Sequence, residues 1–106
     1  MTNKQFCAVY NDALSSTDRD AFASDWALSS IWGEDVDLVE TASACAHIWD
    51  LAHLTIRDIR DHAGMTQQEF AERFCISRRT IEQWESTRGN PAPYIILMLA
   101  ELCGLK

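Results

Sequence analysis

The stretch "MTQQEFAERFCISRRTIEQWESTRGNP", residues 65–91, leaves its backbone few choices. Thr66 and Glu69 have the spacing of a capping box, in which a hydroxyl and a carboxylate satisfy two of the orphan N–H groups at a helix start. Ser77 opens a second helix by the same chemistry. Only Cys75 and Ile76 stand between that cap and the first helix, whose inward face is Phe70, Ala71 and Phe74. Two short helices joined this tightly must cross closely. Small Ala71 at the crossing allows it, and Ile76 with Ile81 closes the wedge. The sequence therefore predicts a helix-turn-helix whose second helix is locked by one face, Ile81 and Trp84.

The free face of that second helix is polar. At about 100° per residue, Arg79, Glu82, Gln83 and Ser86 point outward, with Arg78 on the flank. Arginine can give two hydrogen bonds to guanine N7 and O6, and glutamine can pair with adenine N6 and N7. Glu82 opposes nearby phosphates unless it accepts from a cytosine amino group.

Around this core the punctuation is sparse. Prolines occur only at 91 and 93, and glycines only at 33, 64, 89 and 104, which predicts an all-α chain. Phe6, Val9, Tyr10, Ala13 and Leu14 form one stripe on a first helix. Thr17 and Asp20 read as a capping box for a second helix over 18–32, with Phe22, Trp26 and Ile31, ended by Gly33. From Leu38 to Ala63 the apolar spacing runs 4, 3, 4, 3, 4, 3, 4 through Ala42, Cys45, Trp49, Ala52, Ile56 and Ile59. One long helix over 34–63 satisfies that pattern, and so does a break at Thr55, which with Asp58 forms another capping box. The stripe suits either a coiled-coil seam or, with its small alanines, packing against the first two helices. The last helix, "YIILMLAELCG", is apolar nearly all round.

Charge divides the 106 residues into unlike halves. Residues 1–54 hold two bases, Lys4 and Arg19, against nine acids, a net charge of −7, whereas residues 55–106 hold seven of each. An anionic partner therefore concerns the second half alone. Cys7, Cys45, Cys75 and Cys103 lack the close spacing of a metal site and read as small hydrophobes in a reducing compartment. No metal and no cofactor are expected. No apolar run spans a membrane and the start lacks a secretory pattern, which predicts a cytoplasmic protein. No nucleophile, base and orienting group converge, so catalysis is not expected.

Residues 65–91 resemble the helix-turn-helix of the lambda-repressor and Cro type, the XRE family, and "TIRDIRDHAG" before them resembles that family's first helix. The resemblance covers about residues 54–106. It implies a five-helix DNA-binding domain over 55–106, preceded by an acidic helical extension over 1–54. By that likeness Gln67 and Gln68 hold a phosphate, Arg78, Arg79 and Gln83 read bases in double-stranded DNA, and Arg88 and Asn90 contact the backbone. Ser77 and Thr80, at the start of the reading helix, belong to the same DNA-binding set. The family often pairs Arg and Glu at the positions of Arg60 and Glu85, which predicts an ion pair between them. Its usual turn glycine is replaced by Cys75, at a position that often needs positive φ. The implied function is a sequence-specific regulator, a dimeric repressor, with Ile95, Ile96, Met98 and Leu99 of the last helix as the homodimer contact. Many small proteins of this kind are antitoxins. The alternative is therefore that the acidic half, with Trp26, Trp32 and Trp49, grips a protein toxin.

Overall fold

In a computed structural model, which describes residues 1–86 and 89–105, seven α-helices and one 3₁₀ turn make up the fold, with no strand among the described residues. The chain divides into two compact units, Met1–His53 and Leu54–Lys106.

The first unit contains α1 (Asn3–Ala13), α2 (Arg19–Ala27), the 3₁₀ turn Ser30–Trp32, and α3 (Leu38–Ala52). Thr2 and Gln5 form the capping box of α1. The cap of α2 is Asp18, which accepts from the Ala21 N–H, and not Thr17 as the spacing suggested. The predicted helix over 18–32 also stops early. The chain leaves α2 at Leu28, and the Ser29 hydroxyl caps a separate 3₁₀ turn that ends at Gly33, φ 85°.

No single helix runs over 34–63. α3 ends at Ala52, capped by His53, and α4 (Ile56–Ala63) starts afresh from the Thr55–Asp58 capping box. The 4, 3 spacing ran across this break because a cap costs no apolar residue and leaves the pattern intact. α3 packs against α1 and α2. Its buried residues are Cys45, Ala46, Ile48 and Leu51, while Leu38, the first residue of the predicted stripe, is exposed. Val9, Tyr10, Ala13, Phe22, Ala23 and Ala27 complete this core, and Leu14 lies outside it.

The second unit adds α5 (Gln67–Phe74), α6 (Arg78–Glu85) and α7 (Pro93–Leu102) to α4. Four helices are described here rather than the five that the family likeness implied. Gly89, Pro91 and Pro93 crowd the α6–α7 connection with residues that interrupt helical hydrogen bonding, and Gly104, φ 82°, follows the last helix. One core of Ile56, Ile59, Phe70, Ala71, Ile81, Ile96, Leu99 and Ala100 joins the four helices. Each fully buried Ile or Phe contributes about 1.5–3 kcal/mol of apolar burial. Phe74, Ile76 and Trp84 pack against this core half-buried.

Candidate nucleic-acid interface

The candidate site is the outer face of α6, and the local chemistry that builds it begins one helix earlier. Thr66 accepts from the Glu69 N–H, and the Glu69 carboxylate accepts from the Thr66 N–H. Those bonds hold the Glu69 carboxyl below its usual pKa range. α5 then ends at Cys75, which sits in the left-handed region at φ 54°, ψ 40°. It is the one non-glycine residue with positive φ among those described. The position has the conformation that the family's glycine supplies, and a Cβ there is disfavoured by roughly 1–2 kcal/mol. The Ile76 N–H reaches back to the Ala71 carbonyl at 2.9 Å, so the turn keeps its helix-ending bonds despite the cysteine.

α6 is fixed from two sides. Ile81 is fully buried, and Trp84 lies partly buried beside it. At its C-terminal end Glu85 meets Arg60 of α4 through two parallel bonds, Nε to Oε2 at 3.1 Å and Nη2 to Oε1 at 2.8 Å. Arg60 Nη1 also donates to the Met65 carbonyl at 3.1 Å. The two side chains are only 15% and 8% exposed. The bond to Glu85 raises the Arg60 pKa further, so the guanidinium stays charged throughout the accessible range. This two-pronged geometry fixes orientation as well as distance, and the pair predicted from the resemblance is present.

With those residues turned inward, Arg78, Arg79, Glu82 and Gln83 are left exposed on α6, and Ser86 at its C-terminal cap. Arg78 is not free: its Nε lies 3.3 Å from Glu82 Oε1, one helical turn on. Arg79 has no ion pair among the described residues. Ser77 and Thr80 are engaged in the cap. The Ser77 hydroxyl accepts from the Thr80 N–H at 3.1 Å and shares a 2.8 Å bond with the Thr80 hydroxyl.

On α5, Gln67 is half-buried at the first helical position, and Gln68 donates to Glu72 at 2.8 Å. Asn90 is exposed, in a surface groove of about 390 Å³ with Thr55, Arg57, Trp84, Glu85, Ser86 and Gly89. Arg88 lies outside the described residues. Arg57 was not singled out by the sequence. Its place just after the Thr55 cap is visible there, but nothing local tells which loop will face it.

The last helix corrects an expectation. Ile96 and Leu99, assigned to a dimer contact, are buried in the unit's own core, and Ile95 is half-buried against it. Met98 is exposed, and it falls in a row with exposed Tyr94 and Leu102. Periodicity cannot separate an inner from an outer row when a helix is apolar all round. The three tryptophans of the acidic unit also face a correction. Trp26, Trp32 and Trp49 are half-buried, and their indole N–H groups donate within the unit, to Asp12, the Trp26 carbonyl and Ser16. The large exposed apolar residues there are instead Leu28, Ile31, Leu38 and Val39, besides Met1 and Leu14 at the ends of α1.

A four-helix domain with this capped pair and this clamp defines a helix-turn-helix module, a class built to present one helix to DNA. The family model described as helix-turn-helix matches residues 56–106, and the second unit belongs to that family, in its lambda-repressor or XRE form. No curated protein and no solved structure matches the chain. Among the described residues, no helix is long and apolar enough to cross a membrane.

Proposed function

We propose that the protein is a sequence-specific transcriptional regulator, a cytoplasmic dimeric repressor that acts by binding rather than catalysis and reads the major groove with α6. The observation that supports this most is the division of α6 into two faces. Ile81, Trp84 and the Arg60–Glu85 clamp fix one, and Arg78, Arg79 and Gln83 stand on the other. Gln67 and Gln68 at the start of α5, and Asn90 in the groove that Arg57 also lines, supply phosphate contacts at its margins, with Arg88 joining them from the sequence. The exposed row Tyr94, Met98 and Leu102 on α7 is the surface offered for a homodimer.

Selection of bound sites from random duplex DNA tests the reading. A dimer should select two inverted half-sites about one helical turn apart. Arg79→Ala should weaken the selected site by about 1–3 kcal/mol and relax preference at one base position. A single unpaired half-site contradicts the dimer. Unchanged preferences in the Arg79→Ala protein contradict the assignment of the reading face.

A second role is favoured by the first unit. It has its own core, a charge of −7 when counted over residues 1–54, and exposed Leu28 and Val39. These features suit a protein partner, such as the toxin of an antitoxin pair, better than they suit DNA.

A further inference from the structure

The Arg78–Glu82 pair is the one feature of the α6 face that works against simple DNA binding. A carboxylate on a groove-facing helix is repelled by phosphate, and here it also neutralises an arginine. Both side chains are about half exposed, at 56% and 53%, so neither is needed to fill the core. Unlike Glu85, Glu82 holds no other element in place, because its ion-pair partner is on its own helix. Its position therefore has a use on the outer face or none.

We propose that Arg78 and Glu82 act as one reading unit for a guanine and a nearby cytosine, and that Glu82 sets specificity by keeping Arg78 from binding non-cognate DNA. This rests on the reading of α6 as the groove helix. Four residues of helix rise by about 6 Å, against about 3.4 Å per base step, so the two groups address base pairs no more than about two steps apart. At a cognate site Arg78 exchanges Glu82 for guanine N7 and O6. The released carboxylate then accepts from a cytosine N4 amino group. Adenine also offers an amino group, but its neighbouring N7 is an acceptor and repels the second carboxylate oxygen. At any other site Glu82 finds no donor free of a repelling acceptor on the same base. It then stays on Arg78, whose charge is withheld from the phosphates. Arg79, without an ion pair among the described residues, attracts DNA either way. The whole second half supports the same logic: residues 55–106 hold as many acids as bases, so non-specific attraction is weak and one cation more or less is felt.

The test compares the full chain with Glu82→Gln and, independently, Arg78→Ala, after confirming by thermal melting that each folds. Each is carried through site selection from a random pool and through salt titration on random duplex. In Glu82→Gln, cytosine preference at one position should fall by about ten-fold. Binding to random DNA should rise, and its log–log salt slope should steepen by about 0.9, the value of one additional phosphate contact. Arg78→Ala should lose a guanine preference within two steps of that cytosine. If Glu82→Gln keeps every base preference and the original slope, the coupled reading is overturned while DNA recognition by α6 stands. If the unmodified protein retains no DNA from the pool at low salt, recognition by α6 fails, and the coupled reading with it.

Discussion

Both units cap their helices locally, but they tie those helices to one another by different means. In the second, the ends of α4 and α5 and the start of α6 are set by neighbours in sequence. Capping boxes at Thr55 and Thr66, the Ser77 cap, and left-handed Gly64 and Cys75 fix where each piece begins or stops. One long-range clamp, Arg60 to Glu85, then orients α6. In the first unit, polar side chains tie segments that are far apart in sequence. Gln5 donates to the Ile31 carbonyl, Trp26 to Asp12, Trp49 to Ser16, and Arg19 grips Asp50 through Nε at 2.8 Å and Nη2 at 2.9 Å. The His53 ring stacks on Trp49 and lies within hydrogen-bond distance of the Ser16 and Trp49 carbonyls. A domain built from local signals can present a fixed surface on a short helix. A domain built from distant ties uses its aromatic and charged groups on itself.

The largest test of that contrast is Glu85→Ala. It leaves the Arg60 guanidinium largely buried without its carboxylate, which should cost about 3 kcal/mol. Hydrogen exchange should show the loss of protection in α4 and α6. A loss well under 1 kcal/mol would mean that caps and the apolar core hold α6 without the clamp, and the contrast would sharpen further.

A smaller effect is expected from Trp49→Phe, which keeps a six-membered aromatic ring but removes the 3.2 Å bond from the indole N–H to the Ser16 hydroxyl, 33 residues away in sequence. The expected cost is about 1 kcal/mol, typical of one hydrogen bond, read by denaturant unfolding. No measurable change would break the comparison, because the distant ties of the first unit would then be incidental.

The same contrast explains what the sequence reveals. The second unit was legible because its signals are short: Thr66 with Glu69, Ser77, small Ala71, and the outward spacing of Arg79 and Gln83. Even the left-handed turn at Cys75 could be anticipated from the missing glycine. Its failures came where local pattern carries no direction. α7 is apolar on every side, so Ile96 and Leu99 could not be told apart from Met98. Arg57 and Asn90 come to line one groove only once the chain has folded back. In the first unit Thr17 and Asp18 both offer cap oxygens, and only the folded backbone selects Asp18. The tryptophans looked like a surface because their partners, Asp12, the Trp26 carbonyl and Ser16, bear no recognisable spacing to them.

The central claim is that one unit reads DNA through one helix face while the other stays off the duplex. Amide chemical shifts of the full chain, followed as a selected duplex is added, test it most directly. Shifts should concentrate at Gln67, Gln68, Arg78, Arg79 and Gln83, and the amides of α1, α2 and α3 should stay in place. Shifts centred on the acidic unit, or none on α6 at saturating DNA, would contradict it.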